Sequence, residues 1–210
     1  MTIYLDNAAT SFPKPPHLYE KLREVLEQYG ACPGRGGYEM ARQAGAVVEK
    51  TRSALAELFH AADPQRMIMT LNATDALNMA IKGVLQPGDH VVATAMEHNS
   101  VVRPLNALEQ AGIITVTWVR ASSEGFVDPG DILRAITDRT KLVAVMHASN
   151  VTGTLQPIEE IGRIVREADR IFLVDAAQTA GVVPIDVEEA CVDLLAFSGH
   201  KALLGPPGTG

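Results

Sequence analysis

Ionisable and polar residues follow nearly every apolar run in the sequence, and two of them suit the chemistry of a carbonyl cofactor. Lys201 comes shortly after the apolar run 194–197. A lysine at a partly buried strand end can have its pKa lowered by desolvation, and the neutral amine can then form a Schiff base. Asp175 directly follows the apolar run 171–174, where an ionised carboxylate needs a cationic partner such as a protonated pyridine nitrogen. We therefore predict that Lys201 carries pyridoxal 5'-phosphate and that Asp175 keeps the ring nitrogen protonated.

Other polar residues after apolar runs complete a candidate cofactor site. His98 follows the run 90–93, and its imidazole can stack on a flat ring and move protons. The amides of Ala73 and Thr74 open a predicted helix, where backbone N–H groups and the helix dipole favour a phosphate. Ser198 and His200 are further candidates for binding the phosphate. Gln178 and Asn150 are candidates for donating hydrogen bonds to a phenolic oxygen.

Each of these residues also has an ordinary structural interpretation. Asp175 can cap the next helix or pair with an arginine, and most lysines are solvated surface charges. A residue such as Asn72 or Thr74 can serve only as a helix cap. The combination of residues, more than any one of them, therefore indicates a site.

Six stretches carry a resemblance to a known family, and they occur in the family's order. They are Tyr4-Leu5-Asp6-Asn7-Ala8-Ala9-Thr10, Asn72-Ala73-Thr74-Asp75-Ala76-Leu77-Asn78, Glu97-His98-Asn99-Ser100, Ser149-Asn150-Val151-Thr152-Gly153, Val174-Asp175-Ala176-Ala177-Gln178 and Phe197-Ser198-Gly199-His200-Lys201. The set resembles the cysteine desulfurase family of the class V aminotransferases, which are fold-type I pyridoxal-phosphate enzymes. The stretches span nearly the whole chain, and the last two are the most specific.

The resemblance implies a role for each candidate residue. Lys201 is expected to bind the cofactor covalently, Asp175 to pair with its pyridine nitrogen, and His98 to stack on its ring. Gln178 and Asn150 are the implied ligands of the phenolic oxygen. The implied ligands of the phosphate are Ala73, Thr74, Ser198 and His200. Lys201 and His98 are the expected catalytic residues.

The resemblance also implies an activity and partners. The expected substrate is L-cysteine, which leaves as L-alanine after a catalytic cysteine takes its sulfur as a persulfide. A sulfur-acceptor protein, iron–sulfur cluster assembly and a homodimer are expected as well. The family's catalytic cysteine and its substrate-carboxylate arginine belong to a C-terminal half that these 210 residues do not include. Cys32, in a glycine-rich loop, does not match the nucleophile, and Cys191 is expected to be a small buried residue.

Apolar runs that alternate with helical periodicity must position these residues. Strands are expected at 67–69, 90–93, 114–119, 142–146, 171–174 and 194–197, with helices between them and two helices before them. Apolar strands joined by helices predict an α/β fold, with a mainly parallel sheet covered by helices on both faces. Ligands of such sheets bind at the carboxyl ends of the strands.

The predicted organisation is an N-terminal arm, residues 1–15, followed by the large cofactor-binding domain of fold-type I enzymes, residues 16–210. The resemblance implies that this domain is incomplete at its C-terminus and that the family's small domain is missing. The family's topology inserts a further strand between the runs 194–197 and 67–69. Two unpaired strand edges then favour aggregation, so the chain alone is expected to be poorly stable and unable to turn over cysteine.

Composition excludes several other classes of protein. The net charge is -7 and no Lys/Arg run is present, which argues against a nucleic-acid surface. No apolar run approaches the roughly 20 residues that span a bilayer, and the N-terminus does not resemble a signal peptide, so a cytoplasmic location is expected and a membrane partner is not. Two cysteines are too few for a disulfide framework or a cysteine-based metal site, and no metal site is expected.

Three alternatives remain open on the sequence. A selenocysteine lyase or another class V aminotransferase would share the cofactor pocket. The segment Gly205-Pro206-Pro207-Gly208-Thr209-Gly210 is similar to the opening of a nucleotide-binding phosphate loop, which needs Lys and then Ser/Thr after its last glycine, and the 210 residues end before either position. The third alternative is a chain that binds pyridoxal phosphate or a partner without turnover.

Overall fold

Five parallel strands form one sheet in the computed structural model, which describes residues 3–210 of the chain. The strands are β1 (His90–Thr94), β2 (Thr115–Val119), β3 (Thr140–Met146), β4 (Ile171–Asp175) and β5 (Leu194–Ala196), in the order β2-β1-β3-β4-β5. The α-helices are α1 (Pro16–Gln28), α2 (Glu39–Leu58), α3 (Ala73–Val84), α4 (Asn99–Gln110), α5 (Pro129–Ala135) and α6 (Ile158–Glu167). The predicted α/β class with a parallel sheet is confirmed.

Helices cover both faces of the sheet, as the apolar strands predict. Along β4, Phe172 and Val174 belong to one buried cluster, while Leu173 between them belongs to the other, because alternate side chains of a strand point to opposite faces. Helices α5 and α6 contribute to the first cluster, and α3 and α4 contribute to the second. Each face therefore has its own hydrophobic core, and the strands lie between the two cores.

The register of the sheet brings the carboxyl ends of three strands level with one another. Met146 at the end of β3 pairs with Asp175 at the end of β4, and Asp175 pairs with Ala196 at the end of β5. Loops that leave these three strands consequently start side by side. The polar residues that follow the strands in sequence are thereby brought to one edge of the sheet.

The predicted strand at 67–69 is wrong. A 3-10 turn, Pro64–Arg66, precedes this segment, which is extended but belongs to no strand of the described sheet. Its only ladder-like contact within residues 3–210 is at Thr70, which exchanges backbone hydrogen bonds of 2.7 and 2.9 Å with Gly210. Ile68 is 60% exposed. A strand needs several consecutive partner residues, and the apolar pattern alone did not show that they were missing.

Two elements are more exposed than their sequence pattern suggests. Strand β2 lies at the edge of the sheet, and Thr115 and Thr117 are exposed there. Helix α1 has the predicted three-and-four periodicity, yet it has no buried residue, and Leu26 is 79% exposed. Periodicity therefore predicted the helix without predicting what covers its apolar side. None of the helices among residues 3–210 combines the length and the apolar character needed to cross a membrane.

Gly162 is a point where helix α6 packs too closely for a side chain. A Cβ at Gly162 would lie 1.9 Å from the carbonyl oxygen of Ala190 and 3.2 Å from the ring of Phe172. We expect Gly162→Ala to destabilise the protein by at least about 1–3 kcal/mol, because backbone must move to relieve the overlap. Urea unfolding measures this change.

The matched control is Gly45→Ala in the middle of α2, where nothing lies within 4 Å of an added Cβ. Alanine is the better helix former, so this substitution is expected to stabilise the protein by roughly 0.5–1 kcal/mol. Equal effects of the two substitutions would contradict the close packing of α6.

Candidate functional site

A cavity of about 420 Å³ opens at the carboxyl ends of β3, β4 and β5. All nine residues predicted from the sequence line it, namely Ala73, Thr74, His98, Asn150, Asp175, Gln178, Ser198, His200 and Lys201. They come from five separate parts of the chain. The structure therefore brings the whole predicted set together, although proximity alone assigns no role to any of its members.

Asp175 is the most buried ionisable residue of the cavity wall, at 4% exposure. One carboxylate oxygen, Oδ1, accepts a hydrogen bond of 2.9 Å from the backbone N–H of Ala177, and no group among residues 3–210 donates to Oδ2. Burial raises the pKa of Asp175, while the Ala177 amide, His98 and Lys201 act in the opposite direction. The cavity thus contains an acceptor oxygen that a cationic ligand group would stabilise.

Lys201 lies on the loop after β5 and is half-buried. Burial lowers its pKa, because a desolvated ammonium is disfavoured, and the carboxylate of Asp175 partly opposes the shift. A lysine with a lowered pKa carries a larger neutral fraction, which is the nucleophilic form. Lys201 thus lies half-buried after the end of β5, and its bond to a cofactor remains a prediction.

His98 caps helix α4 from the loop that follows β1. Its Nδ1 accepts the backbone N–H of Ser100 at 3.2 Å and also contacts the Ser100 hydroxyl. Because Nδ1 accepts, the proton of the neutral ring lies on Nε2. The ring is exposed at the cavity, so it is open to stack on a ligand.

The N-terminus of α3 supplies backbone N–H donors of the kind that bind a phosphate. Asn72 caps the helix by accepting the N–H of Asp75 at 2.9 Å, and the N–H of Ala73 points to the Ser198 hydroxyl at 3.4 Å. The N–H of Thr74 donates to no group in the described part of the chain. The cap is therefore Asn72, while Thr74 leaves a donor free at the positive end of the helix dipole.

The N-terminal arm closes one side of the cavity by binding the loop that carries Lys201. Thr10 and Ser11 donate hydroxyl hydrogen bonds to the His200 carbonyl at 3.1 Å, and Lys14 donates to the same oxygen. The His200 ring is itself bonded to Thr10 through Nδ1 at 3.0 Å. The prolines of the arm predicted correctly that it lies against another part of the protein.

Gln178 also contacts the arm. Its amide nitrogen donates to the carbonyl of Ala8 at 3.0 Å, so in this structure it holds the arm in place. Asn150 is exposed and lines the cavity from the loop after β3. The assignment of both side chains to a phenolic oxygen remains a prediction.

Sequence reasoning missed several residues of the cavity wall. These are Asp6, Ala8, Ala9, Asn72, Ser100, Met146, Ala148 and Ala177. Three belong to the arm, whose motif was recognised without an assigned place in the site. Most of the others are neighbours of recognised residues at strand ends, so their position in the sequence was the available signal.

Neither cysteine lines the cavity. Cys32 is exposed, as predicted, but the expectation that Cys191 is buried is wrong, because it is only half-buried in a turn with φ 54°. That turn leads into β5 and faces the opposite end of the strands from Lys201. Residues 3–210 contain no group of three or more His, Cys, Asp or Glu side chains placed to hold a metal ion.

The terminal glycine-rich segment does not form a phosphate cradle. The amide of Gly205 donates to the carbonyl of Gly199 at 2.8 Å, and the amide of Gly210 donates to Thr70 at 2.9 Å. Thr209 donates its hydroxyl to Pro206 at 2.7 Å. A nucleotide-binding loop would direct such donors at phosphate, but here they form hydrogen bonds with carbonyl groups of the protein itself.

Sequence and structure comparisons agree on the family to which this site belongs. The family model described as Aminotransferase class-V matches residues 3–210. The chain belongs to the class V aminotransferase family. It is 38% identical over 209 residues to a probable cysteine desulfurase of Methanothermobacter thermautotrophicus, and 39% identical over 216 residues to a cysteine desulfurase IscS of Vibrio campbellii. The resemblance recognised in the sequence is confirmed.

Solved structures share the fold of this chain. The apo cysteine desulfurase of Thermococcus onnurineus NA1 is 34% identical and superposes with a TM-score of 0.91, over 99% of this chain and 52% of that one. A structure described as SspA in complex with cysteine is 31% identical with a TM-score of 0.94, over 60% of its own chain.

The alignments with these two relatives include 99% and 100% of this chain, but only 52% of the length of each relative. The chain therefore spans about half the length of the relatives it matches, and the matched half contains all of the strand ends described above.

Proposed function

We propose that this chain forms the cofactor-binding part of a pyridoxal-phosphate-dependent cysteine desulfurase, which converts L-cysteine to L-alanine and transfers the sulfur to a thiol. One observation supports this most strongly. A buried carboxylate, Asp175, and a lysine with a lowered pKa, Lys201, share a cavity with an open helix N-terminus. Similarity to cysteine desulfurases supports the substrate.

The donor set of the cavity fits pyridoxal 5'-phosphate. Asp175 offers Oδ2 to a protonated ring nitrogen, and the exposed ring of His98 is available for stacking. The free N–H of Thr74 and the Ser198 hydroxyl suit a phosphate, with Ala73 and His200 nearby. Gln178 and Asn150 are proposed to face the phenolic oxygen, which requires Gln178 to exchange its bond to Ala8 for one to the ligand.

The bound cofactor supplies an electron sink for bonds broken in the substrate. The residues of the chain prepare for that chemistry. Burial keeps part of Lys201 neutral at Nζ, and Asp175 holds a proton on its partner nitrogen only while its own carboxyl is ionised. His98 carries its proton on Nε2, the nitrogen that is not used to cap α4. The arm holds the loop of Lys201 in place through the His200 carbonyl.

Several wider features belong to the proposed whole protein. We propose residues 1–15 as an arm, residues 16–210 as the large domain, and a thiol outside these residues as the sulfur acceptor, because neither Cys32 nor Cys191 lines the cavity. A homodimer, a cytoplasmic location and a role in iron–sulfur cluster assembly are proposed from the family resemblance. The 210 residues alone are proposed to bind the cofactor without releasing alanine.

Cofactor labelling followed by peptide mapping tests the proposal. The protein is mixed with pyridoxal 5'-phosphate, reduced with borohydride and digested, and mass spectrometry locates the label. We expect stoichiometric label on Lys201 and only background label on Lys82, an exposed lysine of α3. A folded sample without label at Lys201 would falsify the cofactor assignment.

Substrate is tested separately by adding L-cysteine or L-selenocysteine to the loaded protein and following the visible spectrum. A change with L-cysteine at lower concentration than with L-selenocysteine is expected for a desulfurase. The reverse preference would indicate a selenocysteine lyase, and a change with neither amino acid would contradict both.

A further inference from the structure

Glu97 is a buried acid that lies directly behind the cavity without lining it. Its side chain is only 9% exposed, and it sits in the short loop between β1 and α4. Oε1 accepts two hydrogen bonds, from the hydroxyl of Thr94 at 2.6 Å and from the backbone N–H of Met146 at 2.8 Å. Oε2 is buried and has no hydrogen-bond partner in the described structure.

The two bonds connect separate strands beside the cavity. Thr94 ends β1 and Met146 ends β3, so the Glu97 carboxyl links the carboxyl ends of two neighbouring strands. Met146 lines the cavity and pairs in register with Asp175. The residue after Glu97 is His98. One carboxyl group therefore joins the loop that presents His98 to the strand end beside Asp175.

The unpartnered oxygen indicates which protonation state the site accommodates. A buried carboxylate with an oxygen that lacks a donor carries an uncompensated charge, whereas the protonated form leaves only a neutral O–H without an acceptor at Oε2, which is the smaller cost. Burial raises the pKa of Glu97 to about 8, the nearby carboxylate of Asp175 adds to the shift, and the bonds from Thr94 and Met146 oppose it. Thr94 on β1 and Met146 on β3 present uncharged donors, so Asp175 on β4 is the titratable group that acts on Glu97, while His98 is its neighbour in the chain.

We propose that Glu97 is a positioning residue, whose neutral carboxyl fastens the His98 loop to the end of β3 and so sets the place of His98 relative to Asp175. The inference rests on the proposed function only in that His98 and Asp175 are taken to bind the cofactor. Ionisation of Glu97 places a second negative charge beside Asp175 in a buried setting, and the bonds from Thr94 and Met146, which favour the ionised form, only partly offset that cost.

The first test follows the His98 ring by NMR in the cofactor-free protein between pH 5 and 10. The His98 signal is expected to show a step near pH 8, caused by Glu97. The step is expected to vanish in Glu97→Gln, which keeps an acceptor oxygen but does not ionise, and to persist in Asp175→Asn. A step that survives in Glu97→Gln would overturn the proposal.

The second test measures the melting temperature of the same cofactor-free variants against pH. The folded state holds the Glu97 proton more tightly than the unfolded chain does, so wild-type stability falls as pH rises from about 4.5 to about 8. Glu97→Gln is expected to gain about 5–10 °C relative to wild type over that interval. A difference that stays constant with pH would show a purely structural hydrogen bond and contradict the proposal.

Glu109→Gln is the matched control, because Glu109 also accepts a backbone N–H, from Val116 at 2.8 Å, but is only half-buried. It is expected to leave the His98 step unchanged. If Glu97→Gln does not fold, the wild-type titration still decides, since a His98 signal without a step near pH 8 overturns the proposal. Neither test uses pyridoxal phosphate, so failure of the proposed function is recognised independently by the absence of label at Lys201.

Discussion

Lys201→Arg is expected to abolish the reducible bond to pyridoxal 5'-phosphate and to weaken retention of the cofactor on the order of 100-fold, which corresponds to ~2.8 kcal/mol. Arginine preserves a positive charge next to Asp175 but stays protonated, so it cannot act as the nucleophile. The half-buried position of Lys201 and its lowered pKa are the features that separate it from the surface lysines. Absorbance after borohydride reduction and equilibrium dialysis measure the two effects.

The control for this prediction is Lys82→Arg, an identical change at an exposed position of α3. It is expected to leave both measurements within experimental error of wild type. Undiminished labelling of the Lys201→Arg variant would place the cofactor bond elsewhere, and Lys14 would then be the next lysine to map, because its amine donates to the carbonyl of His200, the residue before Lys201.

Much of the site could be predicted from the sequence because a parallel sheet collects its strand ends at one edge. Asp175, His98 and Lys201 are far apart in the chain, yet each follows an apolar run, and the pairing of Met146 with Asp175 and of Asp175 with Ala196 aligns the loops that carry them. The positions of the residues relative to their strands were sufficient for that prediction. The cofactor and the individual roles came from the family resemblance.

Long-range contacts outside the regular elements could not be predicted in the same way. The apolar residues 67–69 have the composition of a strand, but a strand exists only where a neighbour supplies its hydrogen bonds, and sequence composition does not reveal the neighbour. The contact of Gln178 with Ala8 depends on the path of an arm without periodicity. Glu97 was recognised within a motif, but only its burial and its unpartnered oxygen show that it differs from an ordinary surface glutamate.

Asp175→Asn is expected to weaken binding of pyridoxal 5'-phosphate by about 10–100-fold and, at the same time, to stabilise the cofactor-free protein. Asparagine keeps an oxygen for the Ala177 amide but replaces the ionised acceptor at Oδ2 with a neutral amide. A hydrogen bond to a charged group contributes roughly 1.5–3 kcal/mol, which sets the expected loss of affinity. Fluorescence titration with the cofactor measures it.

The matched control is Asp193→Asn. Asp193 also accepts a backbone N–H, from Phe172 at 2.8 Å, but it is exposed and lies outside the cavity. Its replacement is expected to leave cofactor affinity unchanged. Equal loss of affinity in the two variants would show that the carboxylate of Asp175 has no specific partner in the bound cofactor.

The gain in stability follows from the direction of the Asp175 pKa. Burial raises that pKa in the folded protein, so the folded state binds the proton more tightly than the unfolded chain, whose aspartates titrate near pH 4. Wild-type stability therefore falls as pH rises from about 4 towards the folded pKa, and the melting temperature of Asp175→Asn should move above that of wild type across this window. A variant that binds the cofactor less well but melts higher would show that the buried charge is retained for its ligand, because the empty fold is more stable without it. A variant that loses both affinity and stability would instead assign Asp175 a structural role.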